Sequence, residues 1–198
     1  MNIIKKLFCN RCKIVNDYKE SLFNTTITSI NNLERATTLE LLIKFNNSNE
    51  NIVFIKDLSG NTYTEFFVVT REEIYNHLNC LKEIKFFGYI LTPKMNKIER
   101  VMRMYADTIL DYNAVAEKVI INSVKIIDII SISKNQGFGS CVMTCFLKYI
   151  KSINVTKVFG YLSPVDEIDE DNKSLRNHFY KKFNFKFLSD DRIELDVQ

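Results

Sequence analysis

Val124-Lys125-Ile126-Ile127-Asp128-Ile129-Ile130-Ser131-Ile132-Ser133-Lys134-Asn135-Gln136-Gly137-Phe138-Gly139-Ser140 runs directly into an apolar segment from Cys141 to Ile150. A β-branched run, a short turn with glycines and then apolar residues at helical spacing read as strand, loop, helix. Glycines let backbone N–H groups approach a ligand closely, and the start of a helix carries partial positive charge, so a pyrophosphate suits such a loop. A tight turn that needs glycine only for its φ angles is the other reading, and the loop alone does not separate the two. It is neither a GxGxxG turn nor a Walker loop, because the Lys-Ser/Thr ending is missing.

Working outward, Val115 to Asn122 and Val124 to Ser133 read as two adjacent strands joined at Asn122-Ser123. Cys141, Val142, Cys145, Phe146, Tyr149 and Ile150 keep one apolar helical face, and Lys157 to Leu162 forms the next strand. That order implies a parallel crossover. After the acidic run Asp166 to Asp171 come a helix over Ser174 to Phe183 and a hairpin of Phe185 to Leu188 with Arg192 to Val197. Upstream, Thr62 to Thr70 pairs with Ile52 to Lys56 around Gly60-Asn61. Thr70 with Glu73 resembles a capping box that opens a helix through Lys82, and Ile84 to Leu91 is a strand. Ile98, Val101, Met104, Tyr105, Thr108 and Ile109 give Asn96 to Tyr112 helical spacing. Before Asn46, Ser21 to Ile30 and Thr37 to Phe45 have strand composition, while Leu33 to Ile43 fits an amphipathic helix equally well. The class is mixed α/β (α+β).

The composition suits one globular domain. The 198 residues are 46% hydrophobic and 12% aromatic, with a net charge of +3 spread over interleaved acids and bases. That interleaving gives no electrostatic case for nucleic acid as a partner. No stretch has the length of a membrane span, and the N-terminus lacks a signal-peptide pattern, so a cytoplasmic location and no membrane partner are expected. The five cysteines are expected to be reduced thiols. Cys9-Asn10-Arg11-Cys12 has zinc-knuckle spacing but no second pair, so no metal site is expected.

A second constellation, Phe179-Tyr180-Lys181-Lys182-Phe183-Asn184-Phe185, decides how the loop is read. Together with Lys134-Asn135-Gln136-Gly137-Phe138-Gly139 it resembles the GCN5-related N-acetyltransferases (GNATs). Their acetyl-CoA loop reads Gln/Arg-x-x-Gly-x-Gly/Ala, and a later helix often reads Phe-Tyr-x-Lys-x-Gly-Phe. Two departures stand out: Lys134 occupies the Gln/Arg position, and Asn184 replaces the glycine, though Asn tolerates the left-handed backbone that stops a helix. The resemblance covers roughly Val115 to the end.

The resemblance implies a GNAT-like acyl-CoA N-acyltransferase fold, a mixed central sheet flanked by helices, as one domain over 1–198. Residues 115–198 would hold acetyl-CoA and the divergent residues 1–114 would face the acceptor. It implies attack of an amine on the acetyl thioester, with Tyr180 protonating the departing thiolate, a role a phenol suits because it holds its proton more tightly than a thiol. Cofactor contacts fall on Ile132, Lys134, Asn135, Gln136, Gly137, Phe138, Gly139 and Ser140, with Asn172 one residue out of the family's register. Phe179 is assigned to packing. Asp128, the one ionisable side chain between Ile126 and Ile132, is the candidate base, since a carboxylate among aliphatic residues has the raised pKa that role needs; a solvent-facing or ion-paired carboxylate is the alternative. The acidic run Asp166 to Asp171 is a solvated loop or a lure for a cationic amine. The acceptor is a small-molecule or peptide amine, and a homodimer is allowed for. Two alternatives remain on the same fold: a catalytically silent acyl-CoA-binding or protein-interaction module, and a transferase for longer acyl chains.

Overall fold

Strand alternation, rather than helical spacing, governs the described residues between Glu50 and Ser131. The computed structural model describes residues 50–58, 65–92, 97–113, 118–132, 136–164 and 168–197. In order these form β1 (Glu50–Asp57), β2 (Phe66–Tyr75), β3 (Leu81–Thr92), β4 (Lys97–Asn113), β5 (Lys118–Ser131), α1 (Phe138–Ser152), β6 (Lys157–Tyr161), α2 (Glu170–Lys182), β7 (Lys186–Phe187) and β8 (Arg192–Asp196). The eight strands make one sheet in the order β1-β2-β3-β4-β5-β6-β8-β7. β5 and β6 run parallel while β4/β5, β6/β8 and β7/β8 are antiparallel, so the sheet is mixed, as the GNAT resemblance implies.

The chain divides into two compact units, Met1–Glu72 with Phe87–Val101, and Glu73–Phe86 with Met102–Gln198. In the first, Phe66 to Val69 are buried on both faces of β2. Thr70, also buried, donates its hydroxyl proton to the Glu50 carboxylate, and so does Tyr89 at 3.0 Å. Burial, reinforced by the Glu50 charge, pushes the Tyr89 phenol well above its ordinary range. In the second unit α1 lays Val142, Met143, Phe146 and Ile150 into the core, and Phe146 meets Phe86 edge-on at 6.0 Å.

Three sequence expectations are corrected. No helix opens at Thr70: its side chain is spent on Glu50, and β2 continues to Tyr75. The chain then turns through Asn76–Cys80, where the Asn76 side chain accepts from the amides of Leu78 and Cys80 and Asn79 takes φ 56°. His77 lies exposed in that turn. The helix expected over Asn96 to Tyr112 is replaced by a strand as well, the 17-residue β4 (Lys97–Asn113). Met102, Met104 and Ala106 are buried while Arg103, Tyr105 and Asp107 are less so, a period of two that apolar residues on both faces had disguised. Finally, the two strands expected around Asn122-Ser123 are one, β5. Ile109 faces Ser123 and Leu110 faces Ile121, so Asn122 is a bulge and not a turn.

The other elements lie close to their expected places. α2 begins earlier than expected because Asp169 caps it, accepting from the amides of Asp171 and Asn172. Half of the acidic run is therefore the start of a helix, where negative charge is favourable. Asn184 has φ 63°, and the bonds Phe185 N–H to Tyr180 O (3.2 Å) and Asn184 N–H to Lys181 O (3.0 Å) close α2 as a glycine would. The segments Ser21–Ile30, Leu33–Ile43 and Thr37–Phe45, and the Cys9/Cys12 pair, lie outside the described residues.

Candidate active site

β5 is the axis of the site. Its parallel pairing with β6 covers only Val124 with Val158, Lys125 with Phe159 and Ile126 with Gly160. On the other side Ala106 faces Ile126 but Tyr105 faces Asp128, which leaves Ile127 as a second bulge. A bulge bends its strand and tightens its twist, and here it falls where the β6 partnership stops. From Ile127 to Ile130 β5 keeps β4 on one edge, and among the described residues it has no strand on the other. That edge offers backbone N–H and C=O groups to an extended guest.

At the end of this edge the loop turns into α1. Gly137 is the N-cap, with φ 78° in the left-handed region, and it offers no side-chain cap. An added Cβ there would meet nothing within 4 Å, so the backbone angle is what calls for glycine. At Gly139 the reason is space: a Cβ would lie 3.3 Å from Phe179 Cε2 and 3.5 Å from Met102 Cε. Gly137 is thus called for by its backbone angle and Gly139 by the packing of Phe179 and Met102 against it. The first turn of α1 contains no acidic residue. Lys182, in the last turn of α2, donates to the Ser140 hydroxyl oxygen at 3.0 Å. The helix dipole and an ammonium therefore act at one place, and both favour an anion.

Of the expected site residues, the structure brings Gln136, Gly137, Phe138, Gly139 and Ser140 together, with Phe138 buried beneath the turn. Lys134 and Asn135 lie outside the described residues. Ile132 is exposed at the end of β5. Tyr180 is half-buried between the rings of Phe179 (5.4 Å) and Phe185 (5.3 Å), one residue from the Phe179 that packs on Gly139. Asn172 stands apart. It sits in the first turn of α2, where its side-chain amide donates to Asp169 at 2.7 Å, and ten residues of helix, about 15 Å, separate it from Lys182.

Asp128 is not immersed among the isoleucines around it. Its side chain is 39% exposed, and Arg103 Nη2 lies 3.9 Å away. Cys145, on the apolar face of α1, has its thiol pushed up to about 12 by burial, which keeps it unreactive at neutral pH. The described residues contain no group of His, Cys, Asp and Glu able to hold a metal ion, and none of their helices is long and apolar enough to cross a membrane.

Sequence reasoning missed Lys182 and Arg103. Lys182 was detectable: it follows Phe179 by three positions, so the two share a helix face, and Phe179 was already placed as a packing residue. Arg103 was hidden by the helical reading of β4.

No family model and no curated protein sequence matches this chain. Among solved structures, it is similar to a domain from Methanocaldococcus jannaschii (12% identity, 59% of this chain and 68% of that one, TM-score 0.41). It is similar also to the Campylobacter jejuni N-acetyltransferase PseH (14% identity, 58% and 69%, TM-score 0.34). A third is an aminoglycoside 6'-N-acetyltransferase complexed with coenzyme A (13% identity, 96% and 95%, TM-score 0.31).

Proposed function

We propose that this chain is an acetyl-CoA-dependent N-acetyltransferase acting on an amine. The observation that carries the reading is the open edge of β5 from Ile127 to Ile130, followed by a glycine turn that lacks a side-chain cap and has Lys182 beside it. A pantetheine arm is extended and carries amide groups that an unpaired strand edge can satisfy, and the attached pyrophosphate is the anion the turn favours. Amides from Gln136 to Ser140 would hold that pyrophosphate with the Lys182 ammonium, and Ile132 would flank it.

An ammonium acceptor first gives a proton to Asp128, directly or through water. The neutral nitrogen then attacks the thioester carbon, and the C–N bond forms as the C–S bond breaks. Tyr180 protonates the departing thiolate and recovers its proton from the new amide nitrogen by way of solvent, so the products are an acetamide and free CoA thiol. A backbone N–H on the open edge of β5 would polarise the carbonyl.

Lys182→Ala tests the cradle. It should weaken acetyl-CoA binding by about tenfold in isothermal titration, with a smaller difference at high salt. Unchanged affinity at low salt would remove Lys182 from the site.

A further inference from the structure

The bulge at Ile127 does more than end the pairing with β6. Lys125 faces Asp107, and Asp128 faces Tyr105, two positions along on β4. Without the extra residue Lys125 and Asp128 would point to opposite sides of the sheet, and with it they share one face. It is the face away from α1, because Met102, which touches Gly139, is buried with Met104 and Ala106 on the α1 side.

On this face the Lys125 ammonium lies 5.2 Å over the ring of Tyr161, the residue of β6 just past the last β5 pairing and 54% exposed. Among the described residues Lys125 has no carboxylate within ion-pair distance, although Asp107 is opposite it in register. Two positions along, Asp128 has only the long 3.9 Å approach of Arg103. Arg103 and Lys85 flank the ring of Tyr105 at 5.7 and 5.8 Å, and Lys85 is 3.8 Å from Glu83. The face thus offers a carboxylate beside the open edge and a cation on an aromatic ring about 7 Å further on.

We propose that the acceptor is a primary amine carrying an anionic group, a carboxylate or a phosphate, a few bonds from its nitrogen. This rests on the acetyltransferase reading above. The ammonium is received by Asp128 beside the thioester, and the anion by Lys125 over Tyr161. A polycation meets Lys125, Arg103 and Lys85 as like charges and is disfavoured.

The test is acetyl-CoA-dependent release of CoA thiol with glycine, O-phosphoethanolamine, ethanolamine or spermidine as acceptor, alongside titration of acetyl-CoA alone. The expected result is a kcat/KM for glycine or O-phosphoethanolamine about tenfold or more above that for ethanolamine and spermidine. Whichever of the first two is preferred identifies the anion as carboxylate or phosphate. Lys125→Glu should reverse the order, Lys125→Gln should flatten it, and Lys125→Arg should keep it, with acetyl-CoA affinity unchanged in all three as proof of folding. Spermidine or ethanolamine used as well as the anionic amines, no turnover of either anionic amine, or an order that ignores position 125 would overturn the inference and leave the cofactor assignment standing. Failure of the wild-type protein to bind acetyl-CoA would overturn both.

Discussion

Tyr180→Phe is expected to lower the rate of acetyl transfer by about 10²- to 10⁴-fold, the usual contribution of a positioned general acid, with little change in acetyl-CoA affinity. The substitution removes one hydroxyl and keeps the ring. The edge-on contacts with Phe179 and Phe185 at 5.4 and 5.3 Å survive, and so does the packing of Phe179 against Gly139. A loss confined to kcat therefore reports chemistry rather than fold. Steady-state kinetics beside acetyl-CoA titration decide it: full turnover in the Phe variant would take Tyr180 out of the mechanism, and a matching loss of binding would make it a packing residue.

Phe146→Ala should have the largest effect on stability, about 3–5 kcal/mol, because it opens a cavity under the helix that carries the loop. Phe146 has no exposed surface, and its ring meets Phe86 on β3. Typical domains hold only about 5–15 kcal/mol in total, so this one change removes a large share. Urea unfolding followed by circular dichroism measures it, and a cost below about 1 kcal/mol would show that α1 is not seated as described. Acetyl-CoA should restore part of the loss if it binds the folded state alone.

The residues that switch from period two to helical spacing were the legible ones. Val124 to Ile150 read as strand, loop, helix because β-branched residues give way to an apolar stripe across a glycine turn, and the structure follows that reading. Asn184 was legible for a similarly local reason, since its side chain tolerates a positive φ. Long-range pairing was the harder part. Thr70 and Glu73 look like a cap only until Glu50, twenty positions away, takes the Thr70 hydroxyl. β4 carries apolar residues on both faces, and a doubly apolar strand can imitate helical spacing over four turns. The bulges at Asn122 and Ile127 are set by register against β4 and leave no mark in composition. The functional consequences of register were equally hidden: the approach of Arg103 to Asp128, the shared face of Lys125 and Asp128, and the meeting of Lys182 with Ser140. In each case the side chain was visible in the sequence and its neighbour was not.

Acetyl-CoA is expected to lie along the open edge of β5 and in the Gln136 to Ser140 turn. Thermal unfolding with and without acetyl-CoA tests it most directly. A ligand that binds only the folded chain should stabilise it by about 2.7 kcal/mol at a hundredfold excess over Kd, a rise of several degrees in Tm. CoA should do nearly the same if, as proposed, the pyrophosphate and the pantetheine supply most of the contacts. An unfolding curve that millimolar acetyl-CoA and CoA both leave unmoved would contradict the account.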